Sequence, residues 1–179
     1  MSTPKPRVLL VLGGLALTAG AQGQAPEGPH LGIPASPSDI AAWNMTVYPD
    51  GQGLPPGRGK AADGKTIYEH HCGSCHGPKG AGGSAEELAG GTTENLKGPH
   101  PDKTIGAYWP YATTVFDFVR RSMPLDAPGS LTTDQIYAVT AYLLHINGLI
   151  EENAEIGPQN LAKVQMPNRE GFEWVDIKR

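Results

Sequence analysis

Cys72-Gly73-Ser74-Cys75-His76 stands in a chain that has no other cysteine, and it constrains the surrounding residues more than any other run. A C-x-x-C-H pattern reads as covalent attachment of a c-type haem. On one helical turn, residues three and four apart share a face. Both thiols and the imidazole are thereby presented to one flat ring. Cys72 and Cys75 would form the thioethers, and His76 would give the iron its proximal nitrogen.

C-x-x-C also occurs in redox dithiols and zinc sites. A thioredoxin-like dithiol needs a βαβ setting, and no alternating β-branched strand precedes Cys72. A structural zinc needs four ligands. His70, His71 or His100 would have to complete the set, because the usual second Cys/His pair is missing.

The first residues match an export signal. Lys5 and Arg7 precede an apolar block from Val8 to Leu17, followed by Ala19-Gly20-Ala21. This reads as a basic region, a hydrophobic core and a small-residue cleavage site. The block is short of the roughly 20 apolar residues of a membrane helix. Residues 1–21 are therefore expected to be a signal peptide, with an uncleaved anchor as the lesser alternative. Export agrees with the motif, since c-type haem is attached outside the cytoplasm. The expected location is periplasmic or secreted, with no membrane span after cleavage.

The rest of the 179 residues suits one domain with extensions. A formal charge of −4 supplies no basic patch for nucleic acid. With 24 glycines and 17 prolines, loops should be extensive. A buried porphyrin would then supply core that regular elements do not.

Four segments follow: the signal peptide, a Pro/Gly-rich arm over 22–60, a monohaem domain over 61–148 and a tail over 149–179. In the arm, Ser36-Pro37-Ser38-Asp39 ahead of Ile40-Ala41-Ala42-Trp43 suggests a short capped helical turn. Trp43, Met45, Val47 and Tyr48 argue against plain disorder. A first helix is expected from about Gly64, with Asp63 as N-cap, running into the haem motif. The glycine-rich Gly77–Gly83 then cannot hold a helix. Tyr108, Trp109 and Tyr111 form the densest aromatic cluster and are candidates for the propionate-side wall, where indole and phenol groups need polar partners. Thr113–Arg121 reads as a helix with Arg120 and Arg121 at its favourable end.

That helix leads to Met123-Pro124, and Met123 is the candidate distal ligand. A thioether opposite histidine raises the potential of haem iron. Met166 is the runner-up, Met45 a further competitor, and histidine or an open site remains a fourth possibility. Thr132 and Gln135 then form a capping box, and Leu131 with Ile136 a hydrophobic staple, for a final helix. Ile136, Val139, Leu143 and Ile146 recur at helical spacing, and Asn147-Gly148 closes it. His145 suits a structural place near that end. The tail is expected to be mostly non-helical, with Trp174 close to its end.

Over residues 60–148 the chain resembles a class I c-type cytochrome: an all-α fold of three to four helices around one haem, here with long irregular extensions. The resemblance implies that Gly64 and Tyr68 cross Tyr142 of the final helix. Asp39–Pro56, Thr104–Ile150 and Met166–Phe172 are similar to the monohaem cytochrome subunits of sulfite and Sox-type sulfane dehydrogenases. That similarity implies electrons from a periplasmic molybdenum dehydrogenase acting on a reduced sulfur compound, passed to a downstream cytochrome or oxidase. Sulfane dehydrogenase cytochromes commonly carry a second haem module, whereas one C-x-x-C-H occurs here. The proline whose carbonyl orients the proximal histidine in many class I cytochromes is also missing from Ser84–Leu88.

The expected function is one-electron transfer by one covalent haem c, without bond-making chemistry. The alternatives are a generic shuttle to a terminal oxidase, a small haem peroxidase or gas-binding protein with a labile sixth ligand, and a non-haem thiol or metal module.

Overall fold

A computed structural model of the chain describes residues 32–173; residues 1–21, expected to be a signal peptide, and Trp174 lie outside them. The chain divides into an N-terminal unit, residues 1–36, and a compact unit from residue 37 onward. The second unit holds α1 (Pro37–Trp43), β1 (Gly59–Lys60), α2 (Ala61–His71), α3 (Gly73–His76), α4 (Ala112–Ser122), α5 (Thr133–Ile146) and β2 (Glu155–Ile156), with single 3-10 turns at Pro78–Gly80, Thr93–Lys97 and Leu161–Lys163.

α5 is the centre of this unit. Every residue from Ile136 to Leu144 is buried, so the helix is enclosed on all sides, and the stripe anticipated from periodicity is only part of its packing surface. Its start is fixed as the sequence indicates: Thr132 Oγ1 accepts from Gln135 N–H at 3.3 Å, and Gln135 Oε1 accepts from Thr132 N–H at 2.8 Å. Gly148, at φ +71, follows the C-cap residue Asn147. His145 Nδ1 lies 3.2 Å from the carbonyl of Ile150, a structural placement.

α2 crosses α5 at Gly64. A side chain there would run into the Ala138 carbonyl, so only glycine permits the approach. The Tyr68 and Tyr142 rings meet beside the crossing, 5.2 Å apart. α2 begins earlier than the sequence suggests. Lys60 is its extended N-cap residue, with no side-chain cap, because β1 feeds directly into the helix. Asp63 sits inside the first turn, where its charge favours the helix dipole.

The extensions are built into the same core. β1 pairs antiparallel with β2, Gly59 opposite Ile156, a ladder too short for period-two alternation to reveal. Val47 of the arm and Ile156, Leu161 and Met166 of the tail are buried in the hydrophobic core with Phe116, Tyr137 and Leu144. Asp117, itself buried, accepts from Val47 N–H at 3.1 Å and pairs with Arg121, while Arg120 Nη1 donates to the Met45 carbonyl at 3.2 Å. Among the described residues, no helix is long and apolar enough to cross a membrane.

Candidate haem site

The motif lies on a break between helices. α2 ends at His71, Cys72 turns the chain at φ −123°, and Gly73–His76 form a fresh single turn. Across the break, Cys75 and His76 N–H both donate to the Cys72 carbonyl, at 3.1 and 2.9 Å, so the backbone of the run still closes one hydrogen-bonded turn. No disulfide joins the two cysteines; Cys72 is half-buried at the core edge and Cys75 exposed.

Burial pushes the Cys72 thiol up to about 11, with Cys75 adding to the shift. A redox dithiol needs the opposite, a lowered thiol pKa that supplies thiolate. The zinc alternative also lacks support: among the described residues, no three His, Cys, Asp or Glu side chains gather as a metal site. His70, His71 and His100 are exposed.

His76 is oriented by the loop after it. Its Nδ1 lies 2.8 Å from the Glu86 carbonyl. A carbonyl only accepts, so Nδ1 carries the proton and Nε2 keeps its lone pair for a metal. The missing proline is thus replaced by another backbone carbonyl. The loop is held by Gly82 N–H to the His76 carbonyl at 2.8 Å, Ala85 N–H to Cys75 at 3.0 Å and Leu88 N–H to Gly80 at 2.8 Å. Gly77, at φ +73, leaves no room for a side chain beside the Gly82 carbonyl. Its own carbonyl accepts from Tyr68 Oη at 2.8 Å, linking the helix crossing to the motif.

Met123 follows α4 as its C-cap residue, half-buried against the core, with its N–H on the Val119 carbonyl at 3.1 Å. Met166 is only 4% exposed within the core. Met45 is half-buried in the arm. The aromatic candidates Tyr108, Trp109 and Tyr111 are all half-buried. Trp109 Nε1 donates to the Lys103 carbonyl at 3.3 Å, and its ring meets Phe118 edge-on at 5.8 Å.

These residues suit a haem. Two unbridged cysteines and an imidazole with one nitrogen available lie on consecutive turns, and Leu88, Trp109 and Met123 are apolar side chains left partly open at the core edge. Arg169, not singled out by the sequence reading, lies over the Tyr111 ring at 5.2 Å; its position just after Met166-Pro167 was the available hint. A groove of about 450 Å³ lined by Arg58, Lys60, Asp63, Asp134 and Glu155 contains none of the haem-site residues.

The attachment motif, the α2–α5 crossing and the oriented histidine define a class I cytochrome c, and residues 61–147 match the cytochrome c family. The chain belongs to that family, whose members carry covalent c-type haem and transfer electrons. It is similar to the crystal structure of the sulfane dehydrogenase SoxCD from Paracoccus pantotrophus, with 46% identity, a TM-score of 0.77, and coverage of 83% of this chain and 73% of that one. It is also 32% identical over 111 residues to the thiosulfate dehydrogenase of Stutzerimonas stutzeri (strain A1501). That match covers 56% of this chain but 35% of the relative, so the chain spans about a third of that protein's length.

Proposed function

We propose that this chain is an exported one-electron carrier that accepts electrons from a molybdenum-dependent dehydrogenase acting on a sulfite- or sulfane-type compound and passes them to a downstream cytochrome or oxidase. One haem c would be held by Cys72 and Cys75, with His76 and Met123 as the residues that would ligate its iron. The haem, when bound, supplies an iron that cycles between ferric and ferrous states. The observation that carries the reading is the His76–Glu86 contact beside two cysteines that form no disulfide. It leaves one imidazole nitrogen for iron and fixes the ring.

The protein's own part is positional. α3 and the Gly77–Leu88 loop hold the imidazole, and α4 delivers Met123. Half-buried Leu88 and Trp109 exclude water from the ring. With Met123 as a ligand the iron would keep no open position, which suits electron transfer and opposes peroxidase or gas-binding chemistry. The partner assignment draws support from the similarity to SoxCD.

The chain is to be expressed in a host with c-type maturation. A pyridine haemochrome assay should then give one covalent haem per chain, and a haem-free product would defeat the proposal. Cell fractionation and N-terminal sequencing should find a periplasmic protein beginning at Gln22. Anaerobic mixing with a sulfite- or sulfane-oxidising molybdoenzyme and its substrate should reduce the haem. No reduction by either enzyme class would leave the generic shuttle.

A further inference from the structure

Beyond the family match, the segment after β2 forms a strap across the aromatic run. Asn168, 8% exposed, donates through Nδ2 to the Tyr108 carbonyl at 2.7 Å. The Phe172 ring stands edge-on to Tyr108, centroids 5.3 Å apart. Arg169 N–H is held by the Met166 carbonyl at 3.2 Å, and Met166 is rooted in the core. Between these anchors the Arg169 guanidinium lies over the Tyr111 ring.

Arg169 is half-buried, yet among the described residues no carboxylate lies within ion-pair distance of it. A partly desolvated cation is costly without a counter-charge. A guanidinium is also shaped to grip a carboxylate with two parallel hydrogen bonds. The wall cannot offer its indole for this purpose, because Trp109 Nε1 is already engaged by Lys103. A haem brings two propionates.

We infer that Arg169 is the counter-ion of a haem propionate, presented by the C-terminal strap against Tyr111. The inference rests on the haem reading above. It makes the strap part of the cofactor site: Asn168 and Phe172 fix the backbone, Tyr111 supports the guanidinium, and the guanidinium neutralises one carboxylate. Neutralising that negative charge disfavours ferric iron and raises the reduction potential.

The test compares reduction potentials of full-length holo-proteins. Arg169→Gln should lower the potential, and Arg169→Lys, which keeps the charge but loses the planar fork, should fall between that variant and wild type. Lys163→Gln, which removes an exposed charge on the neighbouring turn, should leave the potential near the wild-type value. Independently, wild-type protein carrying haem labelled with carbon-13 at its carboxyls is titrated by NMR. One propionate should remain ionised through the range where ordinary carboxylates protonate, about pH 4 to 5. Two ordinary propionates in the wild type would overturn the inference even if Arg169→Gln failed to fold. So would an Arg169→Gln protein with a lowered melting temperature and an unmoved potential, since Arg169 would then only brace Tyr111. Absence of covalent haem would defeat the underlying haem reading; covalent haem with unmoved potential and ordinary propionates defeats this inference alone.

Discussion

The Nδ1 of His76 lies 2.8 Å from the carbonyl oxygen of Glu86, ten residues along a loop that contains no proline after Pro78. The acceptor is backbone, so the Glu86 side chain, which is exposed, should be dispensable. Glu86→Ala is expected to change stability by no more than about 0.5 kcal/mol and to leave the haem spectrum and potential at wild-type values. Gly77→Ala attacks the same contact through the loop's path, forcing a side chain into a left-handed position against the Gly82 carbonyl. It should cost about 1–3 kcal/mol and alter the ferric spectrum, both read on purified holo-protein. A spectral change in Glu86→Ala, with none in Gly77→Ala, would contradict the backbone role.

Met123 and Met166 separate by what their removal does. Met123→Ala should abolish the methionine-to-iron charge-transfer band and lower the potential. Met166→Ala should preserve the band but destabilise the protein by roughly 2–5 kcal/mol, as buried large-to-small changes do. Visible spectra and urea denaturation of the two variants decide the matter. Loss of the band in the Met166 variant alone would exchange their roles.

Where the sequence expectations held, the interactions were local. The Thr132–Gln135 box needs its residues three apart, so it was legible without a fold. The β1–β2 ladder, Lys60 in place of Asp63 at the start of α2, and Glu86 as the histidine's acceptor were not. Each depends on segments far apart in the chain or on a backbone atom that any residue supplies. Arg169 was missed for a related reason: a lone arginine in a tail looks like solvated charge until Tyr111 is found beneath it.

Gly64 is where sequence and packing meet most tightly. Any side chain there collides with the Ala138 carbonyl, a backbone atom in the middle of α5. Gly64→Ala should therefore destabilise by about 1–3 kcal/mol, despite alanine's better helix propensity. Urea denaturation supplies the measurement. A stabilised variant would mean that the helices do not approach this closely.

Asp117 joins the arm to α4, the helix that ends at Met123. Asp117→Ala leaves the Val47 N–H and the Arg121 guanidinium without their acceptor, and should cost about 1–3 kcal/mol. Limited proteolysis should then cleave between residues 44 and 56 faster than in wild type. Unchanged cleavage would show that the apolar burial of Val47 holds the arm by itself.

Stability should also fall in alkali. Burial pushes the phenols of Tyr68 and Tyr137 up to about 12 and raises that of Tyr142. In the unfolded chain each ionises near its ordinary value, about 10, so the unfolded state releases its proton first as pH rises. The stabilisation is complete below about pH 10 and is lost as pH rises towards about 12, on the order of 1–2 kcal/mol for Tyr68 and for Tyr137. Urea midpoints measured at stepped pH should decline over that window, and tyrosinate absorbance should rise together with unfolding. Tyr68→Phe should flatten part of the decline, although it removes the hydrogen bond to Gly77 at a cost of about 1 kcal/mol. Full ionisation of Tyr68 near pH 10 in the folded protein, read by difference against the Phe variant, would show that the phenol reaches water.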